Sequence, residues 1–356
     1  MKKIVLCGGG TAGHIIPNLA LLPILRKHFD EIHYIGSNGM EKDILKEYKD
    51  VKYHEISAVK LVRGFTLSNL KIPFVLCKSI CQSKKILDKI KPDVIFSKGG
   101  YVSVPVVLAS GKIPVIAHES DFTMGLANKI IYKKCKKMCF SFEEPSKKYK
   151  KKGVFTGSPI RQEITKGNKN NLHLNFDNRP TLLFVGGSLG ASALNSFIDE
   201  NFEKLISKYN IIHISGKKYT VRNKNKNYVC YNYIKNIEDC IDACDIVVSR
   251  SGSNAIFEFL TLNKPMILVP LPKGSSRGDQ ILNAQEFERK KLAKVIMQED
   301  LNIERLFEEL DNITKNKAKI KSTLQKANKT IGNDKIVNII LDTVNKEQSK
   351  KTNKEK

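Results

Sequence analysis

No two cysteines in this chain are spaced C-x-x-C, and neither a D-x-D pair nor an H-E-x-x-H motif occurs in its 356 residues. The eight cysteines are scattered. Cys135 and Cys139, like Cys240 and Cys244, are four apart and fit one face of a helix, but no histidine lies near either pair. Zinc is therefore not indicated, and packed thiols in a reducing compartment are expected. Long apolar runs are missing too, since nothing approaches the roughly 18–20 residues that a bilayer span needs. The opening MKKIVLCGGG starts like an export signal, but its apolar stretch ends at glycine, so a strand is expected there.

Acidic residues are in short supply. Against 36 Asp and Glu stand 61 Lys and Arg, a formal charge of +25. Such an excess points to nucleic acid, an anionic membrane surface or a phosphorylated substrate. The chain has no nucleic-acid recognition motif and no interleaving of aromatic and basic residues, so no nucleic-acid partner is expected. The tail KEQSKKTNKEK is expected to be solvated and disordered.

What is present is alternation. Strand-like runs occupy residues 3–7, 32–36, 52–56, 93–97, 114–118 and 137–141, then 181–187, 211–215, 228–233, 245–249, 265–270 and 293–297, with helical patterns between them. Apolar strands joined by helical crossovers predict an α/β fold of two doubly wound, Rossmann-like domains, and the length exceeds what one core serves comfortably. The expected boundaries are 1–160, a polar Asn-rich linker at 161–180, a second domain at 181–335, and a terminal helix with a basic tail at 336–356. Ligands of such sheets sit beyond the carboxyl ends of the strands, and the two domains are expected to face a central cleft.

Each half opens with a strand and a glycine turn. In GGGTAGHIIP (8–17), Gly8, Gly10 and Gly13 satisfy the dinucleotide spacing G-x-G-x-x-G. That reading needs an acid closing the second strand, where this chain has Gly36 and Ser37. A P-loop needs lysine where His14 stands. What remains is a turn that brings backbone amides to an anion, with a titratable histidine at its mouth. The second turn, GGSLG (186–190), mimics a hydrolase nucleophile elbow. Only His213 follows Ser188, inside an apolar strand, so an anion nest around Ser188 fits better. RSGSNAIFEF (250–259) starts a helix with exposed amides, and Glu258 lies one to two turns inside it. SRGDQILNA (276–284) offers Gln280 and Asn283, whose paired donors and acceptors suit sugar hydroxyls. With no D-x-D pair, diphosphate charge would fall to amides, helix ends and Arg161 or Arg250.

Taken together, GGGTAGHIIP, SKGGYVSVPVVLA, HESDFTMGLANK, TGSPIR, GGSLGA, RSGSNAIFE and DQILNA resemble the MurG family of peptidoglycan N-acetylglucosaminyltransferases, over residues 1 to about 340. The resemblance implies a GT-B architecture and inverting transfer of GlcNAc from UDP-GlcNAc to undecaprenyl-pyrophosphoryl-MurNAc-pentapeptide. It implies no cofactor and no essential metal. The donor belongs to the C-terminal half and the acceptor to the N-terminal half. Carried over by position, His14 is the catalytic base, and Thr11, Ala12 and Gly13 meet the donor sugar. Arg161 and Ser188 bind the donor, with Ser188 nearest the phosphates. Ile234 meets uracil through its backbone, Ser253, Asn254 and Ala255 form the pyrophosphate turn, Glu258 holds the ribose, and Gln280 contacts the GlcNAc hydroxyls. Asp121, Asn128, Arg250 and Asp279 are candidates for the acceptor or stay unassigned.

Three positions depart from better-known members. Asp121 stands where they carry asparagine, Asp279 where they carry glutamine, and Ala12 where they carry glycine. An added carboxylate near a diphosphate is unfavourable unless paired. The family is also expected to work at the cytoplasmic face of the bacterial membrane, peripherally, with other cell-wall enzymes as partners. Residues 60–85 combine Phe65, Leu67, Leu70, Ile72, Phe74 and Leu76 with lysines, the composition of a patch that rests on anionic lipid. Competing readings are a diacylglycerol glycosyltransferase, a UDP-GlcNAc 2-epimerase, which needs no lipid patch, and an NAD-dependent oxidoreductase, which lacks its ribose acid.

Overall fold

The computed structural model describes residues 1–58, 72–187, 190–274, 277–328 and 331–355. The chain divides into two compact units, Met1–Arg161 together with Ile331–Lys356, and Gln162–Thr330.

The first unit is built on seven parallel strands: β1 (Lys3–Cys7), β2 (Glu31–Gly36), β3 (Val51–Glu55), β4 (Val94–Ser97), β5 (Val115–Glu119), β6 (Lys137–Phe140) and β7 (Gly153–Phe155). Their order is β3-β2-β1-β4-β5-β6-β7. Both faces of the sheet are covered, which is why the strands read as nearly continuous apolar runs. Ile4 and Leu6 of β1 pack with Leu22, Phe29 and Val337 on one face. Val5 and Cys7 pack with Val106, Val115 and Phe140 on the other. In register, Cys7 of β1 lies beside Ser97 of β4, so the loops leaving these strands start side by side. That is where the strand order reverses, the place at which open α/β sheets bind ligands.

The second unit repeats the plan with six strands: β8 (Thr181–Val185), β9 (Asn210–Ile214), β10 (Tyr228–Tyr231), β11 (Ile246–Ser249), β12 (Met266–Leu268) and β13 (Lys294–Val295). The order is β10-β9-β8-β11-β12-β13. Val185 pairs with Ser249, which sets the loops after β8 and β11 together at the equivalent reversal. Leu182 and Phe184 pack with Leu194, Phe197 and Leu205 in its core.

Four features differ from the sequence expectation. The stretch read as a linker carries two 3-10 turns, Gln162–Lys166 and Lys169–Leu172. They dock on the helix Ile237–Ala243, where Asp239 accepts from the Asn168 amide at 2.7 Å and Asp242 from the Lys169 amide at 3.0 Å. The terminal helix, Asn333–Glu355, starts earlier and belongs to the first unit. Asn333 fixes its start by donating to the carbonyls of Ala20 (3.0 Å) and Ile160 (2.8 Å). Ile336, Val337, Ile340 and Val344 then line one face, buried in the cluster of Ile4 and Leu6. The tail expected to be disordered continues this helix, because an anchored helix extends at little cost through good helix formers such as Lys, Glu and Gln. Finally, the three-residue β7 is too short to leave an alternating signal.

Among the described residues no helix is long and apolar enough to cross a membrane. Phe65, Leu67 and Leu70 of the expected lipid-facing stretch lie outside the described residues. Phe74, on the helix Ile72–Ile90, is 80% exposed.

Candidate active site

In the first unit, β1 runs into the glycine turn and then the helix Ala12–Leu19. Two positive-φ glycines explain the composition of this corner. Gly10 has φ 87°, and a Cβ there would come within 2.4 Å of the Tyr101 ring. Gly100 has φ 81°, and its Cβ would lie 2.7 Å from the Gly9 carbonyl oxygen and 3.0 Å from the His14 ring. The loops after β1 and β4 therefore interleave closely around His14, at a separation only glycine allows. His14 Nδ1 lies 3.2 Å from the Lys98 carbonyl oxygen. A carbonyl can only accept, so Nδ1 carries the hydrogen and Nε2 bears the basic lone pair.

Buried polar groups fix this turn from below. Tyr34 donates to the Gly8 carbonyl at 2.8 Å, and Asn18 donates to the carbonyls of Cys7 and His14, each at 3.3 Å. Fully buried Glu41 accepts from the Gly10 amide at 3.3 Å and from the Ser37 amide and hydroxyl at 2.8 and 2.6 Å. The glycine turn thus does have a neighbouring carboxylate, but its oxygens are engaged by the protein's own loop donors.

A second layer lies behind the loop after β4. Lys98 is only 1% exposed; its Nζ lies 2.9 Å from His118 Nδ1 and also donates to Ser120 Oγ. Burial pushes the Lys98 ammonium down to about 8, against the pull of Glu119 and Asp121. Burial, with the neighbouring Lys98, holds His118 well below its ordinary range, so it is neutral and accepts at Nδ1. Its Nε2 then donates to the Gly157 carbonyl at 3.2 Å. Burial, and then the Asp121 charge, raises Glu119, which accepts from the amides of Asp121 (3.1 Å) and Gly125 (3.0 Å) and from Asn128 Nδ2 (2.9 Å). Asn128, a candidate for the acceptor above, is buried and also donates to the His118 carbonyl at 3.1 Å. Its Oδ1 is buried without a hydrogen-bond partner among the described residues.

In the second unit the loop after β11 enters the helix Ser253–Thr261. Ser253 is buried at its start; Asn254, Ala255 and Glu258 are half-buried along the same helix. The neighbouring turns are knitted to it. Ser251 Oγ donates to the Gln280 carbonyl at 2.7 Å, Asn283 donates to the Ser251 carbonyl at 3.1 Å, and Gln280 Oε1 accepts from the Leu271 amide at 3.1 Å. Ile234 lies half-buried in the loop after β10, Arg161 half-buried at the edge of the first unit, and Thr11 exposed ahead of half-buried Ala12 and Gly13. Ser188 lies outside the described residues.

One expectation needs correction. Arg250 does not present its charge to a diphosphate: it is buried, donating to the carbonyls of Val269 (3.0 Å) and Pro270 (3.2 Å) and to Gln298 Oε1 (2.6 Å). Its guanidinium locks the end of β12 to the loop after β11. The two added carboxylates are placed differently. Asp279 lies 2.7 Å from Arg277, whereas the Asp121 charge favours the Lys98 ammonium and opposes the charge on Glu119. His213 is committed within the second sheet, with Nδ1 2.9 Å from the Tyr228 hydroxyl and Nε2 2.9 Å from Asn195 Oδ1. Lys98 and Glu41 were not singled out from sequence. Lys98 stood inside a family stretch without a motif of its own, and nothing near Glu41 marks it as buried.

Among the described residues no three His, Cys, Asp or Glu side chains are grouped to hold a metal. The N-terminal domain of glycosyltransferase family 28 matches residues 4–140, and the C-terminal domain of the same family matches residues 181–354. A Clostridium tetani protein named UDP-N-acetylglucosamine--N-acetylmuramyl-(pentapeptide) pyrophosphoryl-undecaprenol N-acetylglucosamine transferase is 46% identical over 95% of this chain and 97% of its own length. The crystal structure of Acinetobacter baumannii MurG superposes with TM-score 0.73 at 23% identity, covering 96% of this chain and all of that one, 100%. The UDP-GlcNAc 2-epimerase of Neisseria meningitidis, solved with UDP-GlcNAc bound, shares the fold at TM-score 0.69 and 14% identity, covering 97% of this chain and 100% of that one. Two Rossmann-like parallel-sheet units on the GT-B plan, matched in both halves, place the chain: it belongs to glycosyltransferase family 28, among the MurG-type N-acetylglucosaminyltransferases.

Proposed function

We propose that the protein transfers GlcNAc from UDP-GlcNAc to undecaprenyl-pyrophosphoryl-MurNAc-pentapeptide, forming the disaccharide lipid used in peptidoglycan synthesis. The observation that carries this reading is 46% identity, over 95% of the chain, to a transferase named for that reaction. In this reading His14 Nε2 takes the proton from the attacking hydroxyl, while the Lys98 carbonyl holds the ring in the productive tautomer. A positioned base of this kind contributes roughly 10²–10⁴-fold. The leaving UDP gathers negative charge, which the amides at the start of the Ser253–Thr261 helix and the turn around Ser188 are suited to meet. Glu258 holds the ribose, Gln280 the GlcNAc hydroxyls, and Ile234 the base through its backbone. Arg161 remains the cationic side chain proposed for the donor, since Arg250 is spent on carbonyls.

Metal independence is part of the proposal, as the family resemblance implies, and the lack of a D-x-D pair is consistent with it; full activity in EDTA is expected. Peripheral membrane docking is part of it as well, through Phe74 and the lysines of the Ile72–Ile90 helix. Sedimentation with anionic vesicles should fall with salt and with Phe74→Ser, and binding indifferent to both would remove that surface from the reading. The decisive assay is UDP release from UDP-GlcNAc with and without the lipid-linked muramyl-pentapeptide. Release that depends on the acceptor is expected. Consumption of UDP-GlcNAc without acceptor would favour the epimerase instead.

A further inference from the structure

The first unit contains a cavity of about 410 Å³ that none of the roles above uses. It lies where the loop after β5 meets the helices Leu126–Lys134 and Glu143–Lys148. Phe122, Met124, Pro145 and Tyr149 supply apolar walls, and Lys129 and Lys148 stand on its lining. Both lysines are exposed, and neither makes an ion pair among the described residues. Glu144, also on the lining, lies 3.7 Å from Lys147. The volume falls in the range of small-ligand sites, and the combination of apolar wall and uncommitted ammonium groups suits an anionic, partly apolar chain.

Its place along the rim says which chain. Phe122 directly follows Asp121, a candidate acceptor contact, in the half that the family resemblance gives to the acceptor. The strand order runs β1-β4-β5, so the loop after β5 is two strands from the one that leads to His14. At about 4.8 Å per strand, that is roughly 10 Å, or about three residues of extended peptide. In a muramyl acceptor the peptide hangs from the lactyl ether at C3, next to the hydroxyl that attacks. A peptide leaving that carbon would reach the cavity within its own length, and it ends in a carboxylate.

We infer that this cavity is the subsite for the peptide arm of the acceptor, with Lys129 and Lys148 receiving its carboxylates. The inference rests on the acceptor proposed above. The test compares two acceptors on a short, water-soluble prenyl pyrophosphate: the muramyl-pentapeptide and a muramyl amide without peptide. Transfer kinetics are measured for the wild-type protein and for the double variant Lys129→Met, Lys148→Met. For the pentapeptide acceptor KM should rise about fivefold, with kcat within about twofold, as expected for two part-exposed charge pairs. For the peptide-free acceptor the two proteins should give the same KM and kcat, which also shows the variant folded. An equal response to both acceptors, or no change with the pentapeptide, would overturn the subsite while leaving the transferase reading in place. Failure of the wild-type protein to use either acceptor would overturn both.

Discussion

The two units share a plan about their first strands, β3-β2-β1-β4-β5 in one and β10-β9-β8-β11-β12 in the other, yet their rims differ in kind. Around β1 and β4 the rim is ionisable: His14, Glu41, Lys98, His118, Glu119 and Asp121 are gathered there. Around β8 and β11 it is mostly glycine, serine, asparagine and glutamine, with Glu258 and the Arg277-paired Asp279 as its carboxylates, and its buried cation, Arg250, is turned onto carbonyls. Topology fixes where a ligand sits in both units; the residues on the loops decide what happens to it. A rim with a tautomer-locked histidine can move a proton, and a rim of amides and hydroxyls can only hold an anion and a sugar.

The largest expected effect tests that division directly. His14→Ala should lower kcat by about 10²–10⁴-fold, while the dissociation constant for UDP-GlcNAc, measured by calorimetry, stays within about twofold. Its counterpart in the other unit, Glu258→Ala, should raise the donor KM about tenfold, roughly 1.4 kcal/mol, and spare most of kcat. If both variants damage the same parameter, the two rims do not divide the work.

The next effect concerns stability and separates pH response from catalysis. Burial pushes His213 down to about 4 from its ordinary 6.5. Between those values the unfolded chain takes up a proton that the folded sheet refuses. The stabilisation is therefore complete above pH 6.5 and is lost as pH falls toward 4, about 3 kcal/mol in all. His118 shifts in the same direction, so the first unit is acid-labile with the same sign. His213→Gln should lose less stability than the wild type between pH 7 and 4.5, read from urea midpoints by far-ultraviolet circular dichroism. Parallel losses in the two proteins would mean that burial of this histidine is not what acid attacks.

The contrast between the rims also explains what the sequence could reveal. Apolar runs such as KIVLC and TLLFV announce buried parallel strands, and the glycines at 10 and 100 announce close approach, because these features are local. His14 was legible for the same reason, standing at a strand–turn–helix junction. Glu41 and Lys98 were not, since a buried charge is defined by partners far away in the chain: Gly10 for the one, His118 and Ser120 for the other. Arg250 misled because a cation beside a glycine–serine turn looks available until the carbonyls of Val269 and Pro270 are seen to take it. The C-terminal helix was assigned to no domain because its dock, Ala20 and Ile160, is fixed only by the fold.

The smallest expected effect sharpens the comparison most finely, because it asks whether an added carboxylate in the second rim behaves as charge or as scaffold. Asp279 begins the helix Asp279–Arg289 and sits 2.7 Å from Arg277. The amides of the helix's first turn and the Arg277 guanidinium both face its charge, which is therefore largely met before any diphosphate arrives. Asp279→Asn should therefore cost about 0.3–1 kcal/mol of stability and leave the donor KM within about twofold. Arg277→Ala is the informative partner, since it keeps the carboxylate and removes its compensation. The donor KM should then rise more than in Asp279→Asn, and the double variant should return toward the wild type. If Asp279→Asn alone lowers KM several-fold, the carboxylate repels the donor despite its partner, and the second rim is not the neutral anion cradle that its other residues describe.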